Sequence, residues 1–426
     1  MKHLTSDPDT RVATLPNGVR VLTIALPRLD SASVSIFVRT GSRNESRRLN
    51  GISHMAEHMA FKGTHARNCQ QINLDAERLG AEVNAHTDKD HTAYHMRGLA
   101  EHAPLFLRML GEIVRDSNFP ADELERERQV ILQEFAETED DAFDTAFQLF
   151  DKACYGAHPQ AQPVIGRRRN IEGFTREQLQ AYVAQQYTGA NIVVAAAGRI
   201  DVRAIVREAQ EALGSLPCGE PNLTAAPVFE GGVGLRRLAG HSQTHVVLGF
   251  PSPAVTASTH AAHQLAAALL GEGMSSPLMD SLRERLGLVY YAACSADLDD
   301  LAGQFVIEAS MAPANIPAFA DEVTRLLRAQ ADKIAPLQWE RARNQIAVRR
   351  LQNWERPSRR LEDAVLDLFA FGRVRSRAER QATLDAVTPR QVRKVFDQIL
   401  AGPVAVGAAG RLPKPAAERL HALAEG

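Results

Sequence analysis

Three residues close together in the chain have the chemistry to hold and use a metal ion: His54, Glu57 and His58. They lie in a segment that we predict to be helical over about residues 50–61. Positions i, i+3 and i+4 of a helix share a face, so both imidazoles and the carboxylate point the same way. Two such histidines can supply two nitrogen ligands to zinc, and the carboxylate can activate a water molecule. The order His-x-x-Glu-His is a metallopeptidase signature.

A catalytic zinc usually takes three protein ligands and keeps one position for water. The helix predicted after residue 120 has an apolar stripe formed by Leu124, Ile131 and Phe135, and Glu127 and Glu134 lie on or beside it. A buried carboxylate needs a partner, which a metal or a histidine can supply. A helix this rich in glutamate also places one near its apolar face by chance. The residues alone therefore leave the third ligand open.

The composition is that of a globular protein and excludes several classes of function. The 426 residues carry 49 basic and 51 acidic side chains, so no overall field favours nucleic acid or an anionic membrane. No apolar run is long enough for a membrane span, and the first residues resemble neither a signal peptide nor a presequence. The scattered cysteines predict reduced thiols: Cys69, Cys154, Cys218 and Cys294. We expect a cytoplasmic protein.

The two halves of the chain share features at an offset of 212 to 213 residues, which indicates a duplication. The shared features are a capping-box helix start, an Ala-Gly-Arg strand end and a β-rich run: Thr175/Gln178 and Thr388/Gln391, 197–199 and 409–411, 34–38 and 246–250. We predict an α+β fold of two similar domains, 1–220 and 228–426, each a mostly antiparallel sheet covered by helices. Only the first carries the metal motif, and His263 in the second is expected to be a packed or surface residue.

These motifs together resemble the pitrilysin / mitochondrial processing peptidase family of zinc metallopeptidases, and the resemblance covers nearly the whole chain. It implies that His54, His58 and Glu134 bind one zinc ion per subunit. It also implies that Glu57 activates water and that Glu127 supports the site from outside the ligand set. The duplicated pair of domains corresponds to the half-clamshell unit of that family.

The same resemblance assigns the substrate side. Asn84 and Ala85 match the contacting positions of an edge strand that pairs with an extended peptide. Hydrogen bonds between main chains do not depend on the peptide's side chains, so many sequences could be bound. Arg283 and Tyr290 match a pair that the family brings to the active site from the opposite half of its chamber. A phenol can donate to an oxyanion and a guanidinium can hold a carbonyl. Since one half-length chain carries both features, we predict a homodimer in which each copy completes the other's site.

The predicted function is therefore zinc-dependent cleavage of peptides or unfolded segments in a dimeric chamber, with no nucleic acid or membrane partner. The alternatives are a non-catalytic peptide-binding or scaffolding relative and a zinc hydrolase acting on another substrate. His86, His91 and His95 form a second histidine-rich pattern. We expect these to be exposed strand histidines rather than another metal cluster.

Overall fold

The structure is a computed structural model that describes residues 7–425. The chain forms two compact units, each built from three segments: up to 135, 162–224 and 353–377 for the first, and 136–161, 225–352 and from 378 for the second. Each unit thus takes a segment from the opposite half of the chain. The predicted domains, 1–220 and 228–426, are each one continuous segment and contain no such exchange. Those boundaries stay a prediction.

The first unit contains a six-stranded sheet in the order β1-β2-β6-β3-β5-β4. Its strands are β1 Thr10–Thr14, β2 Arg20–Ala25, β3 Ser31–Val38, β4 Glu82–Thr87, β5 Thr92–Leu99 and β6 Ile192–Gly198. All pairs are antiparallel except β2 with β6. A hairpin turn at Asn17-Gly18 joins β1 to β2. The strand β4 lies at the edge of this sheet.

The second unit repeats this topology in a five-stranded sheet of order β7-β11-β8-β10-β9. Its strands are β7 Gly232–Arg237, β8 Thr244–Ser252, β9 Val289–Leu298, β10 Gly303–Met311 and β11 Ala405–Gly410. Among its described strands the one parallel pair is β7 with β11, which corresponds to β2 with β6 of the first unit. The same connection order and the same strand directions occur twice, so the predicted α+β duplication is confirmed.

Helices cover both sheets. Those in the first half of the chain are α1 Ile52–Ala60, α2 Cys69–Arg78, α3 Ala103–Asp116, α4 Ala121–Asp140, α5 Ala142–Tyr155, α6 Arg168–Gly173, α7 Arg176–Gln186 and α8 Val202–Leu213. Those in the second half are α9 His260–Gly271, α10 Pro277–Met279, α11 Ile316–Asp332, α12 Pro336–Glu355, α13 Pro357–Phe371, α14 Arg377–Asp385, α15 Pro389–Ala401 and α16 Lys414–Glu425. A π-helical segment, Asp280–Arg285, follows α10. Both predicted capping boxes are present, at the starts of α7 and α15.

The exchanged helices complete the cores. In the first unit, α13 packs Leu361, Val365 and Leu368 onto the sheet, although it belongs to the second half of the chain. In the second unit, α5 packs on β8 and β11, although it belongs to the first half. A side chain at Gly249 would overlap the ring of Phe150 in α5, so glycine is required for this close approach.

The helix α9 occupies in the second repeat the place that α1 occupies in the first. It is an alanine-rich buried helix without the metal motif, and its His263 is buried with Nδ1 2.9 Å from Ser252 Oγ. Burial lowers the pKa of His263 to about 4. The prediction of a packed histidine is thus confirmed. Among residues 7–425, no helix combines the length and apolarity needed to cross a bilayer.

Candidate metal centre

The helix α1 is held at its N-terminus by a buried carboxylate from the preceding turn. Glu45 accepts hydrogen bonds from the backbone N–H groups of Gly51 and Ser53, each at 2.8 Å, and from Asn50 Nδ2 at 2.9 Å. These backbone groups belong to the first turn, where a helix has no internal partners for them. Gly51 has a φ of 103°, which favours glycine at this position. Glu45 therefore fixes the start and direction of the helix that carries the histidines.

Apolar packing places α4 beside α1. Leu124 and Ile131 of α4 share one buried cluster with Met55 and Met59 of α1. Glu127 and Glu134 each follow one of the α4 anchors by three residues, so they project from the same face of that helix. The predicted inward stripe of this helix is thus confirmed, and packing brings both carboxylates to the histidines.

The three predicted zinc ligands lie together. Ligand atoms of His54, His58 and Glu134 all lie within 4.8 Å of one another. Oε2 of Glu134 is 3.6 Å from Nε2 of His58 and 3.9 Å from Nε2 of His54. All three side chains are half-buried. This arrangement leaves two imidazoles and one carboxylate open toward a common point.

Glu127 lies behind this cluster and contacts His58. Its Oε2 is 3.1 Å from Nδ1 of His58, while its Oε1 is 2.6 Å from Nζ of Lys62. A carboxylate on Nδ1 makes that nitrogen carry the proton, so Nε2 keeps a lone pair directed at Glu134. Lys62 balances the charge of Glu127, which is only 7% exposed.

The ionisation state of His54 suits a metal ligand. Burial, with His58 nearby, lowers the pKa of His54 to about 3, so this imidazole is neutral and can act as a ligand at neutral pH. Its Nδ1 is buried and has no hydrogen-bond partner among the described residues. The donor set of two nitrogens and one carboxylate oxygen is one that catalytic zinc takes. The residues present therefore fit a zinc ion.

Glu57 lies beside the cluster on the same helix. Its Oε2 accepts a hydrogen bond of 2.7 Å from Oγ1 of Thr87, the last residue of β4. Burial raises the pKa of Glu57, against the effects of the Thr87 hydrogen bond and of His58. A carboxylate with a raised pKa is a better proton acceptor than an ordinary one.

The predicted peptide-binding residues lie on the edge strand. Asn84 and Ala85 are in β4, which pairs with β5 on one side only. The backbone N–H of Ala85 donates to the side-chain Oδ1 of Asn84 at 2.9 Å. An exposed sheet edge of this kind is a template for strand addition. An added strand that used the Ala85 N–H would have to replace its bond to Asn84.

Arg283 and Tyr290 belong to the second unit. Both line a cavity of about 510 Å³ bounded also by Met274 and Tyr291. Tyr290 is 77% exposed on the edge strand β9, and Arg283 Nη1 is 3.7 Å from the sulfur of Met274. A loop, a short helical segment and the start of β9 carry the pair, with Gly287 at a φ of 59° after the helical segment.

The expectation of exposed histidines in the β4–β5 hairpin was wrong. His91 is buried, with an exposed fraction of 2%, and His86 and His95 are half-buried. Their rings contact one another instead of pointing separately to solvent. The strand pairing explains these contacts. His86 is paired with Ala93, so His95, two residues further along β5, lies on the same face of the sheet as His86.

Comparison with known proteins gives the family. Residues 20–168 match the model for Insulinase (Peptidase family M16), and residues 173–346 match the model for the Peptidase M16 inactive domain. The chain belongs to peptidase family M16. An uncharacterized zinc protease of Rickettsia felis is 31% identical over 85% of this chain and 88% of its own length. The mitochondrial-processing peptidase subunit beta of Saccharomyces cerevisiae is 36% identical over 50% of this chain and 46% of its own.

The fold of this M16 chain is also found in solved structures. A protease from Helicobacter pylori matches 95% of this chain and all of its own with a TM-score of 0.87 at 21% identity. The half that matches the inactive-domain model is the half that lacks the His-x-x-Glu-His motif. The family and the fold expected from the motifs are therefore confirmed.

Three residues important to the site's geometry were missed from the sequence. Lys62 lies beyond the end of α1 and contacts Glu127 of α4, so it had no local spacing signal. Glu45 and Thr87 had no such signal either, because their partners lie in other elements. Only the packing of α1 against the preceding turn and against β4 identifies them.

Proposed function

We propose that this protein is a zinc-dependent endopeptidase that cleaves peptides or unfolded segments. The observation that carries the proposal is the convergence of His54, His58 and Glu134, with Glu57 beside them and Glu127 behind. The M16 relatives named zinc protease support the same activity. One zinc ion would be held in each subunit by the two imidazoles and the Glu134 carboxylate.

A bound zinc supplies a Lewis acid that polarises the scissile carbonyl and makes water more acidic. Glu57 accepts a proton from the attacking water and then passes it to the leaving amine. The Thr87 hydroxyl holds one carboxylate oxygen of Glu57, which leaves the other for the water. The edge of β4 at Asn84 and Ala85 binds the substrate as an added strand, which explains tolerance of many sequences.

The test compares wild type with Glu57→Gln, which preserves shape but removes the proton acceptor. We expect unchanged zinc content and a loss of peptide cleavage of roughly 10²–10⁴-fold, the usual contribution of acid–base catalysis. Glu101→Gln, on an exposed side chain of the same unit, is the matched control and should cleave normally. Metal analysis and a quenched fluorescent peptide provide the two readouts.

Two results would change the proposal. Full cleavage by Glu57→Gln would remove the assigned role of this residue. Zinc binding by wild type without any cleavage of unfolded substrates would favour the non-catalytic, peptide-binding alternative. Location in the cytoplasm stays a prediction and can be checked by fractionating cells that make the protein.

A further inference from the structure

Three histidines gather on the side of β4 and β5 that faces away from α1. Thr87 points toward α1, where it contacts Glu57, and successive strand residues alternate, so His86 points to the opposite face. His86 and His95 line a cavity of about 920 Å³ that is closed on one side by α13. His91, just before β5, approaches His86 from the hairpin turn. This histidine cluster is separate from the proposed catalytic ligands.

The protonation of His91 leaves one ring nitrogen able to bind a cation. Its Nδ1 lies 2.7 Å from Oδ1 of Asp90. At this distance the Asp90 carboxylate accepts a hydrogen bond from a proton on Nδ1. A histidine supported by a carboxylate in this way is the common arrangement around protein-bound metals. Nε2 of His91 then presents its lone pair to His86.

The spacing of the rings matches a shared ion. Two nitrogens bound to tetrahedral zinc are separated by about 3.3 Å, which follows from the usual Zn–N length. Nε2 of His86 and Nε2 of His91 are 3.2 Å apart. The same geometry separates the two ring centres by about 5.2 Å. The observed separations are 5.3 Å for His86 and His91 and 5.7 Å for His86 and His95.

The charges around the cluster favour a cation. Glu362 of α13 lines the same cavity, and its negative charge acts on all three imidazoles. Asp88 lies at the other end, with a carboxylate oxygen within 4.8 Å of a ring nitrogen of His91. Arg359 also lines the cavity, but its Nη1 is engaged with Oε2 of Glu362 at 2.8 Å. The acidic groups near the three imidazoles thus include Asp88 and Glu362, and Arg359 is a basic group that pairs with Glu362.

We propose that His86, His91 and His95 form a second binding site for a divalent transition metal such as zinc. His86 and His91 already have the spacing of two ligands, and the cavity gives the His95 side chain room to rotate toward them. Imidazole donors select zinc, nickel or copper over magnesium and calcium. The metal-free alternative is a hydrogen bond between Nε2 of His86 and Nε2 of His91, which would need no ion.

The experiment uses the full chain with His58→Ala, which weakens the proposed catalytic site, and adds Zn²⁺ alone to the metal-free protein. We expect one equivalent of zinc by calorimetry and by metal analysis after desalting. Adding His86→Gln should remove this equivalent or weaken it by at least about tenfold. Adding His102→Gln instead, a partly exposed histidine of the same unit, should leave it unchanged.

Two outcomes would overturn the second site. The first is the absence of zinc from the His58→Ala protein, and the second is equal zinc binding with and without His86→Gln. His86→Gln is preferred to a change at buried His91, and circular dichroism verifies that each variant is folded. The proposal does not depend on the proposed function. If the catalytic site binds no zinc, wild type still binds one equivalent that His86→Gln removes.

Discussion

At the scale of single residues, Glu127 connects the metal cluster to the charge of the surrounding protein. It is almost fully buried, and its two carboxylate oxygens contact His58 and Lys62 separately. Removing its charge would leave the Lys62 ammonium without its partner and would free the His58 ring to change its tautomer. Since such support raises the basicity of a ligand, Glu127 should control how tightly the site holds zinc.

We therefore predict that Glu127→Gln lowers zinc affinity about 10- to 100-fold, the usual effect of losing a carboxylate behind a ligating histidine. The dissociation constant is measured by competition with a chromogenic chelator. Glu125→Gln is the matched control, because Glu125 lies on the same helix but is exposed, and its side-chain partners are Arg128 at 3.0 Å and Gln129 at 3.4 Å. Equal affinities of the two variants would contradict the role given to Glu127.

The grouping of these side chains could be predicted from the sequence because its geometry is mostly local. His54, Glu57 and His58 lie within one helical turn, and Glu127 and Glu134 lie two turns apart on another helix, so spacing alone aligns each group. Their meeting depends on packing, and from the residues alone the choice of Glu134 stayed open until the resemblance decided it. Thr87 had no local signal, since it contacts Glu57 from the end of a strand thirty residues away.

At the scale of elements, the N-terminus of α1 depends on Glu45. Burial raises the pKa of Glu45 to about 7, even though Ser53, Asn50 and Gly51 donate hydrogen bonds that oppose this effect. The folded protein therefore keeps a proton that the unfolded chain releases above about pH 4.5. When the folded state binds more protons than the unfolded state, the free energy of unfolding falls as the pH rises.

We predict that the Glu45 contribution to the free energy of unfolding is complete below about pH 4.5 and is lost as the pH rises to about 7. A pKa difference of this size corresponds to roughly 3 kcal/mol. Urea unfolding at several pH values should show this slope in wild type and in Glu211→Gln, an exposed control on α8. Glu45→Gln cannot titrate, so its curve should lack the slope; an identical slope in both variants would exclude Glu45 as its source.

Sequence reasoning found α1 but not the residue that caps it. The helix was predicted from the spacing of its histidines, and no Ser, Thr or Asp stands at its start, where Gly51 occupies the cap position. The cap comes instead from Glu45, six residues earlier, through a turn whose path no local pattern specifies. The capping boxes of α7 and α15, by contrast, use residues three apart and were predicted correctly.

At the scale of the whole molecule, the repeat was predictable but the exchange of helices was not. Matching strand ends and capped helices at one offset indicated the duplication, and both sheets have the same connection order. The packing of α5 and α13 on the sheets of the opposite repeats follows from long-range contacts such as Phe150 against Gly249. A sequence pattern gives the apolar face of each helix but not the sheet that covers it.

The predicted homodimer follows from the distribution of functional groups between the two repeats. The first unit carries the proposed zinc ligands and Glu57, while Arg283 and Tyr290 are in the second, where Tyr290 is 77% exposed. Among residues 7–425, the polar partners of the Arg283 guanidinium are Met274 at 3.7 Å and Glu284 at 3.9 Å, so this group can be redirected to a substrate. A closed two-fold dimer would let each copy donate this pair to the other, because symmetry makes both contacts equivalent.

Mixing two inactive variants tests this arrangement. Glu57→Gln lacks the base, and Arg283→Ala with Tyr290→Phe lacks the oxyanion groups, so each homodimer should have little activity. If the pair acts between copies, equal mixing and exchange should restore about a quarter of wild-type activity, since half of the dimers are mixed and each has one complete site. No recovery, despite mixed dimers verified by affinity tags, would show that both groups must belong to the same copy.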